Sequence, residues 1–84
     1  MAQIIKVDGA VIDVKPKNGK DFSLKELQSI VGGYIEIVYL KDGNILVVND
    51  EGAINGSCIN LKASKIYGSY LFGNVLHCKS EEVK

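Results

Sequence analysis

The stretch that most constrains this chain is residues 32–52, GGYIEIVYLKDGNILVVNDEG. Two runs rich in β-branched and aromatic residues flank Asp42-Gly43, and glycines bound the whole. Such runs favour strands, and Asp-Gly between them is a strong hairpin signal. A two-residue type I′ turn needs positive φ at both central positions, which glycine adopts freely and Asp tolerates better than most residues. With Asp42 and Gly43 as that turn, Glu36 faces Asn49, Tyr34 faces Glu51, Val38 faces Val47 and Leu40 faces Ile45. Side chains alternate along a strand, so all of these share one face of the sheet. Ile35, Ile37, Tyr39, Leu46, Val48 and Asp50 take the other face. Both faces are apolar near the turn, whereas a half-solvated antiparallel sheet shows one polar face. A helix of the same chain can cover one side. Val38, Leu40, Ile45 and Val47 are expected to meet a partner subunit on the other. The assignment hangs on the turn, because a slip of one residue exchanges the faces.

A chain of 84 residues makes one domain, expected over residues 1–79 with 80–84 as a frayed tail. Domains of this size bury only roughly 60–65% of their unfolded surface and are marginal as monomers. Ten lysines balance ten acids, and there is no arginine. A nucleic-acid binder usually carries a basic excess, and arginine is the residue best suited to bidentate phosphate or guanine contacts. Direct binding of DNA or RNA is therefore not expected, while a small nucleotide stays open. No apolar run nears the ~20 residues of a membrane-spanning helix, and the N-terminus lacks the pattern of a signal peptide. A cytoplasmic setting is expected, with Cys58 and Cys78 as reduced thiols. His77 and Cys78 are adjacent, so on a strand they point to opposite faces. Two thiols and one imidazole also fall short of a structural zinc set, so neither a metal nor a cofactor is expected.

Residues 2–14 give a first hairpin around Asp8-Gly9, and residues 15–20 a loop in which Pro16 ends strand pairing. The lysines of that loop form a small basic tip. A helix follows with Ser23 as N-cap and Glu26 completing a capping box. Phe22 can staple onto Leu27, and Leu24, Leu27, Ile30 and Val31 form an apolar stripe ended by Gly32-Gly33. After Gly52 the pattern weakens, with a turn expected at Asn55-Gly56. Asn60 then caps a short helix over 61–67, with Leu61, Ala63, Ser64 and Tyr67 as its packed side and Gly68 as its stop. A last strand spans 75–79. The expected fold is α+β: a mainly antiparallel sheet of about five strands, one capped helix packed on it and a second short helix.

Under the pairing above, Tyr34, Glu36, Asn49 and Glu51 stand together at the open end of the central hairpin. Cross-strand neighbours there lie ~5 Å apart and diagonal ones ~7–8 Å. Two carboxylates, an amide and a phenol could hydrogen-bond a ribose, an amide or a base edge. Two nearby acids could also share a proton. The bland alternative is a polar rim where the hairpin leaves the core. Asn60 likewise divides between helix cap and second contact to a ligand. No glycine-rich phosphate loop, nucleophile elbow or His-containing triad is present. Gly32-Gly33 follows a helix instead of opening one, the wrong order for a phosphate cradle.

The blocks VGGYIEIVYL and ILVVNDEG, followed by Asn60-Leu61-Lys62-Ala63, resemble the family called domain of unknown function 3846. The resemblance runs over about residues 24–75. It carries the family's recurrent positions onto Gly32, Gly33, Tyr34, Ile35, Glu36, Asn49, Glu51, Gly52, Asn60 and Ala63. It implies an accessory protein of phages or mobile elements of Gram-positive bacteria, and it implies no activity. The expected function is a non-catalytic, homo-oligomeric binding protein. Its expected ligand is a small polar molecule, such as a nucleotide-derived host defence signal, held by Tyr34, Glu36, Asn49, Glu51 and Asn60. The alternative is a module that docks onto a host protein.

Overall fold

The computed structural model describes residues 2–51 and 58–83. Strands β1 (Ala2–Ile5), β2 (Val11–Asp13), β3 (Ile35–Tyr39), β4 (Asn44–Asn49) and β5 (Val75–Lys79) form one antiparallel sheet in the order β2-β1-β5-β4-β3. Helix α1 (Leu24–Val31) lies between β2 and β3 in the chain, and α2 (Leu61–Tyr67) between β4 and β5. The fold is α+β, as the pattern of runs and caps implies. The last strand is the central one, and it joins the N-terminal hairpin to the β3–β4 hairpin within the same chain. The turn expected at Asn55-Gly56 and the recurrent Gly52 lie outside the described residues.

Both Asp-Gly hairpins close by the same device, and it is not the two-residue turn. Leu40 N–H donates to Asn44 C=O at 3.0 Å, and Gly43 N–H donates back to Leu40 C=O at 3.4 Å. Lys41, Asp42 and Gly43 are therefore a three-residue loop. Gly43 has φ +88, while no residue other than glycine has positive φ among the described residues. The Asp42 carboxylate accepts from Asn44 N–H at 3.0 Å, fixing the loop from within. Residues 7–9 repeat the arrangement: Lys6 N–H reaches Ala10 C=O at 2.8 Å, Gly9 has φ +92, and Asp8 accepts from Ala10 N–H at 2.9 Å. A type I turn followed by a left-handed glycine is the usual three-residue hairpin, and it spares Asp the strained conformation.

The extra loop residue moves the register of the central hairpin by one. Ile35 pairs with Asn49, Glu36 with Val48, Ile37 with Val47, Val38 with Leu46 and Tyr39 with Ile45. This corrects the face assignment. Ile45 and Val47 are buried with Leu76, Cys78, Phe22, Leu27 and Val31 under α1. Val38 and Leu40 lie on the opposite face, packed with Leu46, Val48, Val75, Ala63 and Leu71. The four residues expected at one subunit interface thus divide between two cores. The chain covers both itself, because α2 with Leu71 roofs the side thought to need a partner.

Helix α1 follows its sequence signals closely. Ser23 Oγ accepts from Glu26 N–H at 3.2 Å, and Glu26 Oε1 from Ser23 N–H at 3.0 Å, closing the capping box. Gly32 ends the helix in the left-handed region at φ +83. Phe22, Leu27 and Val31 are buried and Ile30 packs at the margin, but Leu24 stays 59% exposed. In α2 only Ala63 is buried, and Leu61 and Tyr67 of its expected packed side face outwards. Of the tail expected over 80–84, residues 80–83 are held against the core. Ser80–Glu82 form a 3-10 turn, Phe22 N–H donates to Glu82 C=O at 2.7 Å, and Val83 packs on the first core. No helix among the described residues is long and apolar enough to cross a membrane.

Candidate functional site

The expected polar cluster does not assemble. In the observed register Asn49 shares the α1 face with Ile35, while Glu36 pairs with Val48 and projects from the opposite face. The separation follows from the three-residue loop alone. Asn49 is turned to main-chain work: its Nδ2 donates to Val31 C=O at 3.1 Å and its Oδ1 accepts from Glu51 N–H at 2.8 Å. It ties the last carbonyls of α1 to the end of β4. A Cβ at Gly33 would lie 3.1 Å from Asn49 Nδ2, so glycine at that position leaves the amide its space. Tyr34 contributes its carbonyl to Asp50 N–H at 2.9 Å, and its ring is 71% exposed. Glu36 and Glu51 are exposed.

Asn60 lies apart from this group and is 0% exposed. Its Nδ2 donates to Ile5 C=O at 2.8 Å and Gly73 C=O at 2.9 Å, and its Oδ1 accepts from Ala63 N–H at 3.1 Å. Both amide protons and the cap oxygen are engaged. Of the two readings of Asn60, the structure supports the cap, extended into a clamp between α2, β1 and the approach to β5. Cys78 is buried in the first core, and its thiol is pushed up to about 11, chiefly by burial and then by the Glu82 charge. Cys58 is exposed. His77 sits on the face opposite Cys78, beside Gln3 and Leu46, and its buried Nε2 has no hydrogen-bond partner among the described residues. Among the described residues no cluster of three or more His, Cys, Asp or Glu could hold a metal ion.

A lysine-lined concavity lies elsewhere. Helix α1 packs on β3, β4 and β5 and leaves the β1–β2 end of that face unroofed. A groove of about 690 Å³ results, with Ile4, Ile12, Val14 and Ile30 as its aliphatic floor. Lys6, Lys15, Lys17 and Lys25 stand around it, drawn from the end of β1, the loop after β2 and the first turn of α1. The one acid in its lining is Glu26. That carboxylate accepts from the N–H groups of Ser23 and Lys17, at 3.0 and 3.1 Å, and these bonds hold it below the usual carboxylate range. Four lysines against one glutamate leave the groove strongly positive on a chain of zero formal charge.

Reading residues in order does not reveal this groove. The Lys15–Lys20 tip is visible in the sequence, but Lys6 and Lys25 join it only because β2 is an edge strand flanking the short helix. Volumes of ~300–1,000 Å³ with an apolar lining and a few polar groups are those of small-molecule sites. The arrangement supplies cations and an apolar surface.

No curated protein and no solved structure matches the chain. The family model described as Domain of unknown function (DUF3846) matches residues 3–84, a wider span than the central motifs and one that takes in the first hairpin. With nearly its whole length matched, the chain belongs to that family.

Proposed function

We propose that this is a non-catalytic binding protein that takes a small phosphorylated molecule in the groove between α1 and the first hairpin. The observation that carries this reading is the concentration of Lys6, Lys15, Lys17 and Lys25 around an aliphatic floor. Lysine is a compact point charge suited to phosphate oxygens, and the isoleucine floor suits the uncharged body of the same molecule. The amides of Asn49 and Asn60 are occupied by main chain, which moves the proposed site from the hairpin end to this groove. In the phage or mobile-element setting implied by the family resemblance, sequestration of a nucleotide-derived host signal fits the reading. Capture requires affinity alone and no reacting group.

Isothermal titration with ATP, ADP and inorganic pyrophosphate tests it. Binding is expected to weaken as salt rises, because exposed charges are screened within ~10 Å at 0.1 M salt. Lys17→Ala with Lys25→Ala together should lower affinity by about tenfold or more, given the worth of hydrogen bonds to charged groups. Absence of binding by all three compounds at millimolar concentration would overturn the proposal. So would binding that the paired lysine substitutions leave unchanged.

A further inference from the structure

The two edges of the sheet are unequal. Strand β2 is three residues long, is followed by Pro16, and carries Asp13 bonded to Gln3 Nε2 at 3.1 Å. Short length and nearby proline are ordinary means of blunting an edge. Strand β3 is five residues of IEIVY with no proline, no lysine and no bulge, and its one charge is Glu36.

The hydrogen bonds fix which groups β3 presents outwards. Leu40 N–H donates to Asn44 C=O, and Tyr34 C=O accepts from Asp50 N–H. Bonded and non-bonded pairs alternate along an antiparallel ladder. Tyr34, Glu36, Val38 and Leu40 therefore direct their main-chain groups to β4. Ile35, Ile37 and Tyr39 direct theirs to the open edge, where no strand among the described residues meets them.

We propose that this edge pairs with the β3 edge of a second copy of the chain, antiparallel, about a two-fold axis at Ile37. The parity of the edge makes it self-complementary. With Ile37 opposite its own copy, Ile35 falls opposite Tyr39 of the second copy and all three pairs are of the bonded kind. About six main-chain hydrogen bonds form, two for each pair. Tyr39 is 74% exposed and lies opposite the half-buried Ile35, an aromatic–β-branched cross-strand pair of the favoured type. A shared two-fold element is the usual form of a symmetric dimer. The arrangement brings the two Glu36 carboxylates into diagonal positions on one face, and their repulsion tempers the association. The interface is independent of the lysine groove, which lies at the opposite end of the sheet order.

Light scattering and sedimentation equilibrium on the full chain, up to millimolar concentration, test the pairing. The mass should rise towards two chains with concentration. Glu36→Gln should tighten the association by roughly two- to five-fold, the worth of relieving one like-charge contact across strands. Ile37→Pro removes an N–H that meets no strand among the described residues and should abolish association, as should Tyr39→Lys at its exposed position. Circular dichroism identifies any variant that fails to fold, and Tyr39→Lys then decides the matter if Ile37→Pro does fail. A monomer at every concentration would overturn the proposal. A dimer that survives Tyr39→Lys and is indifferent to Glu36→Gln would overturn it equally.

Discussion

Replacing Asn60 by alanine removes three hydrogen bonds at once, two of them buried, and their separate costs can be added. Loss of the cap to Ala63 N–H should cost about 1 kcal/mol. The carbonyls of Ile5 and Gly73 each lose a donor, the first from a buried bond and the second from a half-buried one. An unsatisfied buried group costs about 1–3 kcal/mol, and the lower half of that range suits a carbonyl with a second lone pair. With about 1–2 kcal/mol for the buried Ile5 carbonyl and about 1 for the half-buried Gly73 carbonyl, the total is about 3–4 kcal/mol. A chain of 84 residues is stable by about 4–13 kcal/mol in all, so the variant should lose at least about a quarter of its stability. Thermal unfolding followed by circular dichroism should show a fall of about 15–25 °C. Asn60→Asp sharpens the test. It keeps the acceptor for Ala63 N–H but points a carboxylate at two carbonyl oxygens, so its folded-state pKa must rise above the unfolded value. Stability of that variant is then fully present below about pH 4 and is lost as pH rises through the folded pKa. If Asn60→Ala lowers stability by less than about 1 kcal/mol, the amide is merely a cap and the clamp reasoning fails.

Three further outcomes follow from named contacts. Gly33→Ala should cost about 1 kcal/mol by pressing on the Asn49 amide, and a double-mutant cycle should show that cost vanish in an Asn49→Ala background. With a thiol reagent at pH 8, Cys58 should react in the native protein, while Cys78, buried and shifted to about 11, should react only on unfolding. The lowered pKa of Glu26 means that its contribution is present above the ordinary carboxylate value of 4.5 and is lost as pH falls through the folded pKa. Acid titration of stability should therefore be flatter below that pH in Glu26→Gln, whose one amide oxygen can still accept from Ser23 N–H but leaves Lys17 N–H without its acceptor.

What residues close in sequence could settle was legible from the chain. Ser23 with Glu26, Gly32, Asn60 and Gly68 mark helix ends, because each satisfies or releases main-chain groups within four positions. The Asp-Gly pairs and β-branched runs likewise mark five strands and an α+β fold. The register was not legible. Asp-Gly serves a two-residue and a three-residue loop alike, and the choice depends on which loop lets Ile45 and Val47 meet α1 while Leu46 and Val48 meet α2. That is a packing decision over the whole sheet, and it separated Glu36 from Asn49. The groove belongs to the same level. Lys6, Lys17 and Lys25 converge only because β5 inserts between the hairpins and leaves β2 at an edge that α1 is too short to roof. Side-chain chemistry of near neighbours is written along the chain; the meeting of distant residues is decided where strands pair.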